Sequence, residues 1–511
     1  MKLDSNRRAE SGLVRRLKNS IAAEQKSLSQ RSSMNQNPKR RTLTFFFLLL
    51  CIGVGSGLYI LLRDLTGPLV SFPPDVEAVG KVTPIVVEIN DQTSGLALIT
   101  VSVSQNGKAH SIMKKEYTGK PKSVTETIIL GDSPLKNGPI ELEINVRDAS
   151  YAFFGRGNGT SLLKSLNFDT IPPKIFFQNN IINIKQGGAG CVSFRSNKTL
   201  ASCGVRVKDL FFPGFVLDNG EYVCFFPFPW YMSMAEFGPK LVAIDKAGNE
   251  QSIRINAHAQ ARVFKTDTLN LPETFIETKM AEFEDYYPNL TPLDRYIKIN
   301  REMRKANDEK ILALGKKTAP LMLWKGDFLR LPRAASRANF GDHRTYMYGG
   351  KEIDQQTHLG VDLASLQNAP VPAANDGKVV FADFLGIYGK LVVIDHGMGL
   401  QSLYSHLSDI SCVMDEQVKR GQIIGRTGVT GLAGGDHLHF GVTIGGIPVS
   451  PIEWWDEHWI KDNILDRIAE NANADGTPPT PKVAAPKPAA PAAAKPADKK
   501  KKTPPKKKPS Q

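Results

Sequence analysis

The stretch His437-Leu438-His439-Phe440-Gly441-Val442-Thr443-Ile444 sets two imidazoles two residues apart and carries apolar side chains at 440, 442 and 444. Side chains two apart share a face only on a strand, and the alternation has the period of a strand, so this run reads as β. Upstream, His358-Leu359-Gly360-Val361-Asp362 places an imidazole and a carboxylate four residues apart. That even separation returns both to one face of a strand and roughly to one face of a helix. Between Phe340 and Phe440 lie six of the nine histidines of the chain: His343, His358, His396, His406, His437 and His439. Three neutral or anionic N/O donors suit zinc and leave a fourth coordination position for water, the pattern of a catalytic rather than a closed structural site. Taken singly, His343, His396 and His458 are expected to be surface or satisfied core residues.

Working towards the N-terminus, residues 273–287 carry Ile276, Met280, Phe283 and Tyr287 at the spacing of one helical face, and Thr291-Pro292-Leu293-Asp294 has the cap, proline and early acid of a helix start. Nothing in this segment points to chemistry, so it reads as a helical linker over 266–324. Before it the period becomes two. Ile99, Val101 and Val103 alternate with Thr100, Ser102 and Ser104 and end at the turn signal Asn106-Gly107; Leu142, Ile144 and Val146 alternate with acidic and polar residues. Val146-Arg147-Asp148-Ala149 is echoed by Ile244-Asp245-Lys246-Ala247, and Gly67-Pro68 with its following strand by Pro172-Pro173 with its own. Two β-sandwich modules of about 100 residues follow from that spacing, at 66–170 and 171–265. They loosely resemble bacterial immunoglobulin-like modules and are expected to act as spacers, with sugar or partner binding as the alternative.

Thr42 to Leu62 is an uncharged run of 21 residues, long enough to cross about 30 Å of hydrocarbon as a helix. It is longer than the apolar run of a cleaved signal peptide, and no A-x-A-like site follows it, which favours a retained anchor. Lys39, Arg40 and Arg41 abut its N-terminal side, so the N-terminus is expected to face the cytoplasm and the bulk of the chain the other side. In that oxidising space one disulfide among Cys191, Cys203 and Cys224 is expected. Cys191 to Cys203 across a hairpin turning at Asn197 is the first choice, with the pairings to Cys224 left open.

The net charge of +14 is concentrated at the ends. Residues 1–41 carry eleven Lys/Arg against three Asp/Glu, and residues 476–511 carry ten Lys against one Asp, so the 434 residues between them are close to neutral. A folded basic face is therefore missing, and no nucleic-acid partner is expected. Residues 476–511 also hold ten Pro and eight Ala, the composition of an extended solvated tail whose lysines suit anionic envelope polymers.

Read together, Asn339-Phe340-Gly341-Asp342-His343-Arg344, His358 to Ala364, Tyr404-Ser405-His406-Leu407, Val418 to Gly425, Gly428-Val429-Thr430-Gly431 and His437-Leu438-His439-Phe440 resemble the lysostaphin-type (LytM-type) zinc metallopeptidases over about residues 325–460. The resemblance implies a mainly antiparallel β domain with a narrow groove, one zinc ion, and cleavage of peptide bonds in bacterial peptidoglycan. Carried over by motif, His358, Asp362 and His439 are the zinc ligands, and His406 and His437 the catalytic histidines. Asp436, Gly441 and Cys412 depart from the family pattern without removing a ligand. The fold class implied is a mainly β, membrane-anchored multidomain chain: a basic cytoplasmic segment (1–41), one membrane helix (42–62), two β modules, a helical linker, the peptidase domain and the lysine-rich tail (476–511). A non-catalytic regulator of wall hydrolases, or a structural wall-binding protein, is the alternative. The expected location is the inner membrane, with the catalytic domain in the periplasm or outside the cell.

Overall fold

Asn106 and Gly107 both adopt positive φ, 52° and 75°, the requirement of a two-residue type I′ hairpin turn. They join the strands Leu96–Gln105 and Lys108–Glu116 with Gln105 opposite Lys108. Such local choices recur through this computed structural model, which describes residues 38–62, 64–177 and 181–468. The expected basic segment at 1–41 falls almost wholly outside the described residues, and the tail at 476–511 entirely so. The chain divides into two compact units, 1–170 and 171–511.

In the first unit the helix Pro38–Leu62 begins four residues before the uncharged run. Its 25 residues span about 37 Å at 1.5 Å per residue, and it is the one described helix long and apolar enough to cross a membrane. The β part has a five-stranded sheet, ordered Ala78–Val79, Gly159–Phe168, Gly138–Asp148, Leu96–Gln105, Lys108–Glu116, and a three-stranded one, ordered Leu69–Ser71, Ile85–Asn90, Ser123–Ile128. The alternating residues Ile99, Val101, Val103, Leu142, Ile144 and Val146 are buried and meet Ile85, Val87 and Ile89 in one core. That is the outcome of a period-two pattern with one wet face.

The second unit opens with two four-stranded sheets over 175–254. Here the expected disulfide fails. Cys191 lies opposite Phe225 in one sheet and Cys203 opposite Ala243 in the other, because the chain at Asn197 passes between sheets and does not close a hairpin. Cys191, Cys203 and Cys224 are all free and buried, and burial pushes the Cys203 thiol up to about 12. They are core residues with no reactive character.

The expected helix over 273–287 stops at Ala281. The Arg295 guanidinium takes the carbonyl of Met280 (3.0 Å), an acceptor that a longer helix would have used itself, as well as that of Tyr287 (3.1 Å), and Pro288 then forbids continuation. The second helix starts as its sequence requires: the Thr291 hydroxyl accepts from the Asp294 N–H at 3.2 Å, with Pro292 in the first turn. It runs through a π turn at Ile299–Met303 into Arg304–Leu314. Further strands then form a large antiparallel sheet, ordered Ala335–Ala338, Val361–Ala364, Leu438–Ile444, Leu400–Leu407, Lys390–Asp395, Gly377–Phe384, Gln417–Val418, and a smaller sheet pairs Thr266–Asn270 in parallel with His343–Tyr348.

One apolar core runs from the 175–254 sheets into this large sheet. Trp454, fully buried, joins the two, with ring centroids 6.3 Å from Phe225, 5.7 Å from Trp324 and 5.5 Å from Phe328. Replacing it with alanine would remove the largest side chain at that junction. Trp454→Ala is expected to cost about 3–5 kcal/mol, read as a lower urea midpoint for the unfolding of residues 171–468 followed by far-UV circular dichroism.

Candidate active site

Three neighbouring strands carry the site. In antiparallel register Asp362 lies opposite His439, and His439 opposite Ser405 on its other side. The strand Leu438–Ile444 therefore presents His439 between the Asp362 strand and the strand that ends at His406-Leu407. His358 precedes the Asp362 strand and is clasped by a turn: its N–H donates to Asp342 O (2.9 Å), and its carbonyl accepts from Gly341 N (2.7 Å). Gly360 is needed because a Cβ there would lie 2.6 Å from the His439 ring.

The three donor atoms meet. His358 Nε2 is 2.8 Å from Asp362 Oδ1 and 2.9 Å from His439 Nδ1, and His439 Nδ1 is 2.9 Å from the same Oδ1. His358 Nδ1 faces the Asn339 carbonyl at 2.9 Å and can only donate to it, so Nε2 keeps its lone pair. All three residues are buried. Burial disfavours charge on His439 and brings its pKa down to about 4, so its imidazole is neutral at pH 7. Two imidazoles and one carboxylate, with a nitrogen or oxygen of each turned on the others, fit a single borderline metal ion such as zinc.

The other two predicted residues stand beside this triangle. His406 and His437 have ring centroids 4.9 Å apart, and His406 is 5.9 Å from His439. His437 Nε2 is 3.6 Å from Asp362 Oδ1, while its Nδ1 donates to Gly435 O at 2.7 Å. His406 Nδ1 donates to Thr430 O at 2.9 Å, and its backbone adopts φ +62°, a left-handed conformation rare outside glycine. Burial, then the neighbouring histidines, holds its pKa well below the ordinary value. His396 is different: fully buried, it is satisfied by Asp376 O and Ser402 Oγ, both at 2.7 Å. His343 is exposed, with Nδ1 3.1 Å from Thr357 Oγ1 and its ring 5.8 Å from that of Phe264.

Several residues escaped the sequence reading. Arg344 Nη2 donates to Asp362 Oδ2 at 2.9 Å and so holds the oxygen that the triangle leaves over. It lies inside a motif, but only the fold shows what it touches. Tyr388 packs 6.0 Å from the His439 ring and donates to Asp308 Oδ1 at 2.9 Å. On one side of the site a cavity of about 580 Å³ is lined by Trp230, Arg304, Asp308, Arg344 and Tyr388. A second, of about 210 Å³, is lined by Phe275, Tyr296, His406 and His437. Arg304, Asp308 and Phe275 come from the helical segment and Trp230 from the preceding β region, neither of which carried a chemical signal. Arg304 is held by Asn300 (2.6 Å to Oδ1) and forms no ion pair among the described residues.

Fold and site together give an antiparallel β domain with a His/Asp/His triangle beside two cavities and two further histidines at its edge. Residues 356–451 match the model of peptidase family M23, and the chain carries an M23 (LytM-type) peptidase domain there. Over 95 residues it is 42% identical to the DD-carboxypeptidase/endopeptidase Mpg of Neisseria meningitidis serogroup B, covering 19% of this chain and 22% of that one. Over 109 residues it is 32% identical to the murein hydrolase activator EnvC of Escherichia coli K12, covering 21% and 26%. The chain thus spans about a quarter or less of the length of these relatives. The solved catalytic domain of the peptidase lysostaphin from Staphylococcus simulans is 27% identical, with 26% of this chain and 98% of that one covered and a TM-score of 0.22.

The buried histidines tie stability to pH. For His396 burial lowers the folded pKa to about 4, below the unfolded value of 6.5. Its neutral form therefore contributes fully above pH 6.5, and the contribution is lost as pH falls towards 4, amounting to about 3 kcal/mol there. Urea unfolding across pH 7 to 4 is expected to show this decline, and His396→Gln, which takes up no proton, a shallower one.

Proposed function

We propose that this protein is a zinc-dependent endopeptidase that hydrolyses peptide cross-links of bacterial peptidoglycan, with His358, Asp362 and His439 as the metal ligands and His406 and His437 as the catalytic histidines. The observation that carries the reading is the convergence of His358 Nε2, Asp362 Oδ1 and His439 Nδ1 within 2.9 Å of one another, with the first imidazole oriented by the Asn339 carbonyl. The similarity to a named DD-carboxypeptidase/endopeptidase supports the substrate class.

When bound, zinc would polarise the scissile carbonyl and lower the pKa of a water from 15.7 towards about 7. The chain supplies the rest. His406 is neutral, donates through Nδ1 to Thr430 and keeps Nε2 free to accept a proton. His437, whose Nδ1 donates to the Gly435 carbonyl, turns Nε2 towards the Asp362 side of the centre, where a proton accepted at Nε2 can then be shared with the developing oxyanion. Arg344 fixes the Asp362 carboxylate through its second oxygen, as second-layer groups around metals do. Arg304 and Arg344 place positive charge on the groove, which suits a peptide bearing free carboxylates. The apolar helix Pro38–Leu62 serves in this reading as an inner-membrane anchor with the N-terminus in the cytoplasm and the peptidase in the periplasm or outside the cell.

The test combines zinc content by mass spectrometry with mass analysis of fragments released from purified sacculi. Wild-type protein is expected to hold one zinc and to release peptides that name the bond cut. His358→Ala, Asp362→Ala and His439→Ala are each expected to lose the metal. His406→Ala and His437→Ala should keep it while turnover falls by about 10²–10⁴. Arg344→Gln is expected to weaken zinc binding by about 10–100-fold. Zinc-loaded protein that releases nothing, yet stimulates another wall hydrolase, would replace this reading by that of a regulator.

A further inference from the structure

The echo between the two β regions has a structural counterpart with a mismatch of charge. Leu96 opposes Asp148 across one strand pair, and Leu200 opposes Asp245 across the other. Both aspartates end a strand, are 2% exposed and accept N–H bonds from the turn that follows. Asp245 takes Ala247 and Asn249 (3.0 and 2.9 Å); Asp148 takes Ser150 and Asn158 (3.1 and 2.7 Å). At Asp245 the charge is met by Lys198, two residues before Leu200, whose Nζ lies 2.8 Å from Oδ2. The residue two before Leu96 is Ser94. No lysine, arginine or histidine among the described residues forms an ion pair with Asp148; two more buried carboxylates stand there instead.

These are Asp64 and Asp91, 7% and 5% exposed, and one oxygen from each of the three aspartates lies within 4.8 Å of the others. Asp91 Oδ1 is saturated by the N–H groups of Thr93, Ser94 and Gly95 at 2.9–3.0 Å. Its Oδ2 is buried without any hydrogen-bond partner, an arrangement that costs free energy unless something positive is supplied. Asp64 accepts from Thr66 and Ser94, and the acceptors gathered around the Asn158 side-chain nitrogen, which has two hydrogens, outnumber what it can satisfy: within 3.3 Å lie the Asp64 and Thr66 carbonyls, Asp148 Oδ2 and Ser150 Oγ.

We propose that Asp64, Asp91 and Asp148 bind one calcium ion. Carboxylate and carbonyl oxygens with no nitrogen or sulfur donor select a hard cation, and an irregular shell suits calcium better than the octahedral demand of magnesium. The ion takes the place that Lys198 fills in the second β region. It also has a mechanical consequence, because Asp64 stands two residues beyond the end of the apolar helix, whereas Asp91 and Asp148 belong to the β sandwich. Calcium thus ties the first residues after the helix to the fold that follows.

The experiment uses the full-length protein in detergent micelles, freed of calcium by dialysis against resin-treated buffer. Radioactive calcium uptake by equilibrium dialysis is measured for wild type, Asp91→Asn and Asp64→Asn, with magnesium chloride as competitor. One saturable calcium per wild-type chain is expected, displaced only by a large excess of magnesium. Each variant is expected to bind at least about tenfold more weakly. Calcium should also slow protease cleavage at residues 63–68 in wild type and not in Asp64→Asn. Asp64→Asn keeps the question open to refutation if Asp91→Asn fails to fold by circular dichroism. Absence of saturable uptake by wild type below about 10 mM calcium, or equal uptake by wild type and a folded variant, overturns the proposal.

Discussion

The antiparallel register that puts Asp362 opposite His439 is the constraint on which the site depends. A slip of one residue would leave the two side chains on opposite faces of the sheet, and a slip of two would part them by about 7 Å along the strand. The register is held from both sides, since the His439 strand is also paired with Leu400–Leu407, which ends at the left-handed His406-Leu407 corner. Backbone pairing in the middle of a broad sheet thus sets Asp362 and His439 to within a hydrogen-bond length, and the turn that clasps His358 adds the third side chain. Preorganisation of this kind is what separates a site from a mere collection of residues.

Burial does the electrostatic part. A carboxylate removed from water needs a partner of opposite charge or a donor, and Asp362 Oδ2 has both in Arg344 at 2.9 Å, while Oδ1 is turned on His358 Nε2 and His439 Nδ1. Histidines removed from water lose their protons, which is the state in which they can coordinate a metal or accept a proton. Burial therefore keeps the His406 and His439 bases neutral, while the neighbouring imidazoles overcome its opposite effect on Asp362 and hold that acid ionised.

The groove beside the triangle is made partly by segments outside residues 356–451. Trp230, Phe275, Arg304 and Asp308 line it, and the core beneath the preceding β region continues through Trp454 into the large sheet. A wall element packed on a shared core is held in place more rigidly than one on a tether. The groove is thus built partly from surfaces outside residues 356–451, while the His/Asp/His triangle stays on and beside the large sheet itself.

Much of this was legible in the sequence. Period-two patterns at 99–103, 142–146 and 438–444 became strands, Asn106-Gly107 became a hairpin turn, Thr291-Pro292 capped a helix, and the ordered histidine motifs pointed to the M23 stretch, because each of these signals is local and its physics acts within a few residues. What tertiary structure alone decided acts between distant segments. The end of a helix at Ala281 depended on a guanidinium fourteen residues further on, the thiols stayed free because the chain at Asn197 changes sheets, and Arg344, Tyr388, Arg304 and Trp230 acquired partners that no spacing encodes. Sequence by itself determined which residue types and periods were available; the packing of one sheet against another determined which of them meet, because contact is set by register and burial and not by separation along the chain.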